Sequence, residues 1–87
     1  MANHKSAAKK ARHDEERRLR NRNWRARMRT QIKKFRAAVD GNDKASAQAM
    51  LVETLALVDR TARAGVIHDR TASRYKSRLQ LAVNKLA

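Results

Sequence analysis

Arg17 to Val39 reads RRLRNRNWRARMRTQIKKFRAAV, and this stretch decides the fold. At about 100° per residue, Trp24, Met28, Ile32, Phe35 and Val39 fall within an arc of about 80°, the spacing of a helix that buries one side. Arg18, Arg22, Arg25, Arg29, Lys33 and Arg36 fill the neighbouring arc, while Arg20, Arg27 and Lys34 line the other flank. Positions 17 to 39 contain no acid. A solvated helix face normally mixes signs into i, i+4 pairs, and like charges at this density destabilise a helix until something neutralises them. The stretch therefore predicts a helix that packs on a small bundle and turns a cationic surface toward a polyanion. Arginine forks suit phosphate geometry, which makes structured RNA the leading partner.

Downstream, the chain has no proline and only two glycines, Gly41 and Gly65, which stand where a three-helix chain needs its corners. In Asp40-Gly41-Asn42-Asp43, Gly41 is expected to take the left-handed conformation and Asp43 to cap the next helix. From Lys44 to Arg63, Ala47, Leu51, Leu55, Val58 and Ala62 repeat the apolar spacing of the first helix, with Met50 and Leu57 broadening the face. Gly65 should end this helix and Val66 make the apolar contact that follows a glycine cap. A third helix is predicted from His68 or Asp69 to Leu86, with Ala72, Tyr75, Leu79, Val83 and Leu86 inward and Arg70, Arg74, Arg78 and Lys85 opposite. Period-two alternation is lacking, so no strand competes. The fold expected is an all-α three-helix bundle.

Upstream of Trp24 the apolar stripe disappears, and only Ala7, Ala8 and Ala11 remain beside an outward Leu19. If residues 5 to 39 were all helical they would extend about 52 Å, against about 30 Å for the later helices. The first helix should overhang the bundle, with residues 1 to 23 forming a basic arm continuous with it and residues 24 to 87 forming the bundle. Both belong to one domain, the most that 87 residues accommodate. Charge is divided the same way. Residues 1 to 36 carry 14 Lys/Arg against Asp14, Glu15 and Glu16, a net +11, and the remainder carries eight against five, a net +3, for the total of +14. Lys9, Lys10, Arg12 and Arg17 thus join the stripe as candidate RNA contacts.

Other chemistry is excluded residue by residue. There is no cysteine, and His4, His13 and His68 lack ligand spacing, so no metal or cofactor is expected. Asp14, Glu15 and Glu16 spread round a helix without a pocket and read as local partners of Arg17, Arg18 and Arg20. No triad order or glycine-rich phosphate loop can be built, and an enzyme is not expected. Trp24 sits on the apolar stripe and reads as core or bundle-edge packing rather than as a base-stacking platform. With only Phe35 and Tyr75 besides, base stacking cannot be the main mode of binding, and recognition should follow shape and backbone. No apolar run reaches the roughly 20 residues of a membrane span. Two rivals remain open: a histone-like DNA-compacting protein, and a membrane-active amphipathic helix whose narrow apolar face counts against it.

Three blocks, Met1-Ala2-Asn3-His4-Lys5-Ser6-Ala7, Arg29-Thr30-Gln31-Ile32-Lys33-Lys34, and Gly65-Val66-Ile67-His68 followed by Lys76-Ser77-Arg78-Leu79, resemble the bacterial small-subunit ribosomal protein family number twenty. The resemblance implies a bundle with a long first helix, no catalysis, direct binding to 16S rRNA in the body of the small ribosomal subunit, and a role early in its assembly. It implies RNA contacts at Asn3, Lys5 and Ser6, at Arg29, Thr30, Lys33 and Lys34, and at His68, Lys76, Ser77 and Arg78, with neighbouring ribosomal proteins as further partners. Arg70 stands where many relatives have asparagine, and Ala72-Ser73-Arg74 where they have Ala-Ala-Arg, which points Arg70 and Arg74 to phosphate rather than to a specific amide contact. Family members also occur in plastids. The chain starts at the family start without a transit segment, and the bacterial cytoplasm is the location expected.

Overall fold

The computed structural model describes the backbone of residues 2–86 and the side chains of residues 6–86. Three helices follow one another: α1 (Ala2–Asp40), α2 (Lys44–Arg63) and α3 (Asp69–Asn84), with no strand among the described residues. The bundle is the one the apolar stripes require, and α2 has its expected bounds.

The first corner differs from expectation in one residue. Asp43 donates its backbone N–H to the Ala38 carbonyl at 3.2 Å and Asn42 donates to Val39 at 3.0 Å, the pair of bonds that closes a helix around a left-handed residue. That residue is Asn42, with φ of 55°, and not Gly41. Asparagine tolerates this conformation better than other non-glycine residues, so the one-residue shift is cheap. Asp43 then caps α2: one carboxylate oxygen accepts the Ser46 N–H at 3.1 Å and the other accepts the Ser46 hydroxyl at 2.7 Å. At the second corner Gly65 has φ of 77°, its N–H reaches Ala62, and Val66 N–H reaches Thr61 while the Val66 side chain is buried.

Met28, Ile32 and Phe35 of α1, Ala47, Leu51 and Val58 of α2, and Ala72, Leu79 and Val83 of α3 form the core. The buried line of α2 runs through Ala47, Leu51, Thr54, Val58 and Thr61, whereas Leu55 and Ala62 are half-buried beside it. The expected stripe is thus rotated toward two threonines. Each can be buried because its hydroxyl is satisfied inside its own helix, Thr54 donating to the Met50 carbonyl and Thr61 to that of Leu57, both at 2.7 Å. Val39 and Leu86 pack on the core from outside, and Trp24 is half-buried beyond it.

α2 is the central helix, packed on α1 and on α3. α1 and α3 approach each other far less, leaving a groove between them. The 39 residues of α1 account for most of the 67 Å length of the molecule, which is 21 by 14 Å in its other dimensions. Within α1, every described side chain before Trp24 except Asn21 is exposed. The helix continues there without tertiary support.

Candidate nucleic-acid interface

The three furrows between the helices carry different charge. Between α2 and α3, Asp59 and Asp69 stand among Arg63 and Lys76, and Lys76 Nζ meets the Asp59 carboxylate at 2.9 Å. This furrow neutralises itself. Between α1 and α2 lie Arg27 and Lys34 with Thr30, Gln31 and Leu57. Between α1 and α3 every charged residue is a cation: Arg25, Arg29, Lys33 and Arg36, above a floor of Met28, Ile32, Ile67 and Tyr75.

Arg25 and Arg29 also end a second hollow that runs up the arm past Arg22, Arg18 and Arg17 to Asp14. The two hollows form one track because their residues recur every three or four positions on a single helix face. Arg18 bridges Glu15 at 3.0 Å, but both groups are exposed, and such a pair contributes little and is readily exchanged for a stronger anion. Seven of the residues selected from sequence, Arg17, Arg18, Arg22, Arg25, Arg29, Lys33 and Arg36, are thus brought together.

Others are placed elsewhere. Thr30 and Lys34 lie on the α1–α2 side. Ser6, Lys9, Lys10 and Arg12 are exposed on the arm, with Lys9 and Arg12 grouped with His13 and Glu16 on a separate face. Arg74 and Arg78 are exposed on α3, each three residues beyond a groove residue, Thr71 and Tyr75 respectively. Arg70 and Ser77 are exposed on α3 as well. Lys76 turns to Asp59 and away from the track. His68 caps α3, its Nδ1 accepting the Arg70 N–H at 3.1 Å, so only Nε2 remains for a partner. The contacts expected of Asn3 and Lys5 lie outside the described side chains. Trp24 is no free platform, since the Arg27 guanidinium lies 5.0 Å from its ring centroid, within cation–π range.

Ile67 and Thr71 line the groove although the sequence does not mark them as site residues, and the sequence marks Tyr75 only as core. Their signal was faint: Thr71 and Tyr75 stand one turn apart on the edge of the third apolar arc.

Among the described residues no cluster of His, Asp or Glu could hold a metal ion, and no helix is long and apolar enough to cross a membrane. The fold and the track define a small all-α protein with one acid-poor cationic face. The model of the family described as ribosomal protein S20 matches residues 2–84. The chain is 51% identical over 87 residues to the small ribosomal subunit protein bS20 of Histophilus somni, with all of both chains covered. The protein of the same name from Desulfatibacillum aliphaticivorans is 45% identical over 87 residues, covering 100% of this chain and 99% of its own, and that from Koribacter versatilis is 47% identical over 83 residues, covering 95% and 93%. The chain belongs to the ribosomal protein S20 family, whose members are structural and non-enzymatic.

Proposed function

We propose that this protein is a structural component of the small ribosomal subunit in the bacterial cytoplasm, that it binds 16S rRNA directly, and that it holds separate rRNA helices together during assembly. The observation that carries this reading is the acid-free stretch from Arg17 to Arg36, seven of whose cations share the track on the α1–α3 side, while Asp59 and Asp69 stand among the cations between α2 and α3. Such a face brings two RNA backbones close by cancelling their repulsion, and the bundle acts as a rigid wedge between them. Residues 1 to 23 serve as the arm that reaches beyond the wedge. Binding releases counterions, so affinity falls steeply with salt.

The test is chemical footprinting of 16S rRNA with and without the protein, in the presence of excess duplex DNA. A discrete set of backbone protections that survives the DNA supports the reading. Protections that vanish under DNA competition would make it a general polyanion binder of the DNA-compacting kind.

A further inference from the structure

We infer that the α1–α3 groove receives one unpaired nucleotide of the bound RNA, the base on its apolar floor and the flanking phosphates on its cationic rim. The inference rests on the RNA-binding reading and adds to it a site for a single base. The groove has a volume of about 330 Å³, near the lower end of the ~300–1,000 Å³ of small-molecule clefts. Its floor includes the half-buried Ile67 and Tyr75 over the buried Met28 and Ile32, and its rim carries Arg25, Arg29, Lys33 and Arg36 with no acid.

Each part rules out a simpler occupant. Paired RNA brings phosphates and ribose hydroxyls to a surface and keeps its bases stacked, so it would satisfy the rim and leave the Ile67 and Tyr75 surface wet. An apolar peptide segment would cover the floor and strip water from four cations without replacing it, which is costly. A nucleotide out of its stack offers a planar apolar face between two anionic groups, the complement of floor and rim together. The Thr71 hydroxyl and the Tyr75 phenol can donate to or accept from a base edge. Neither of the other furrows combines these features. The one between α1 and α2 has cations without an aromatic residue in its lining, and the one between α2 and α3 mixes signs.

The probe is a pair of short RNA duplexes, identical except that one unpaired position carries 2-aminopurine in the first and an abasic ribose in the second. The parent protein should bind the first more tightly by roughly five- to a hundredfold, the range that stacking one base on an aromatic side chain supplies, and 2-aminopurine fluorescence should change on binding. Thr71→Leu fills the groove and Tyr75→Leu removes the ring while keeping apolar packing. Both should bring the ratio toward one and leave the affinity for the abasic duplex within about twofold, since the rim is intact. Far-UV circular dichroism and melting temperature establish that the variants are folded. Equal binding of the two duplexes by the parent, or a preference that survives in both folded variants, overturns the inference and leaves RNA binding standing. If neither duplex binds even at low salt, the RNA-binding reading falls and the inference with it.

Discussion

Gln31 of α1 donates its side-chain amide to the Thr54 hydroxyl of α2 at 3.3 Å, beside the apolar core that the two helices share. The same hydroxyl donates to the Met50 carbonyl, so Thr54 is fully buried with both its donor and an acceptor lone pair in use. Thr54→Val keeps the shape and removes the hydroxyl. The half-buried Gln31 amide can turn to water, so the loss should be that of one hydrogen bond, about 0.5–1.5 kcal/mol by urea denaturation. A loss of more than twice that range would show that the pair sets the packing of α1 on α2.

The two corner glycines should respond oppositely to alanine. Gly41 precedes the left-handed residue, and a Cβ there would meet the Ala37 carbonyl oxygen at 3.4 Å, an ordinary contact. Gly41→Ala should stabilise by about 0.4–1 kcal/mol through the unfolded chain. At Gly65 there is room for a Cβ but φ is 77°, and Gly65→Ala should destabilise by about 1–2 kcal/mol. Thermal melting of the two variants checks both signs.

Asp43 makes stability depend on acid. The Ser46 hydroxyl first, and the Ser46 backbone N–H second, hold its carboxyl below the ordinary value of 3.8. A carboxylate with a depressed folded pKa contributes fully above the unfolded value and loses that contribution as pH falls through the folded one. Melting temperature should therefore decline below pH 3.8 with a component that Ser46→Ala weakens and Asp43→Asn abolishes. An acid limb unchanged in Asp43→Asn would assign it to other carboxylates.

How much of this was legible in the chain depended on whether a residue's partner was near in sequence. The bounds of α2 follow from Asp43, which caps it three residues before Ser46, and from Gly65 just beyond its end, so local chemistry was enough. Asn42 replaced Gly41 as the left-handed residue because both permit that conformation and only the position of the closing bonds decides between them. Thr54 and Thr61 looked polar, yet the carbonyls that make them buriable lie one turn back in the same helix. The cationic arc needed only helical periodicity. The fate of Lys76 needed Asp59, 17 residues away, and the groove floor needed Ile67 and Tyr75 to stand opposite α1, which is a property of tertiary packing.

The arm should be the least protected part of the molecule before RNA arrives. Ala7, Ala11 and Leu19 are exposed, no neighbouring helix covers them, and the surrounding cations repel one another, so only marginal local helix stability resists opening. Amide hydrogen exchange at these positions should be far faster than at Leu55 in free protein and should slow when a 16S rRNA fragment binds. Arm amides as protected as Leu55 in the free protein would make the arm a stable preformed helix.

The central claim is that RNA meets the α1–α3 face, and the salt dependence of affinity tests it most directly. Binding of a 16S rRNA fragment is measured across a salt series for the parent, for Arg29→Ala and Lys33→Ala on the track, and for Arg63→Ala in the self-neutralising furrow between α2 and α3. Each track variant should make the slope of log affinity against log salt shallower by about one unit, and Arg63→Ala should leave it unchanged. A slope that is unmoved by Arg29→Ala and Lys33→Ala but reduced by Arg63→Ala would contradict the account.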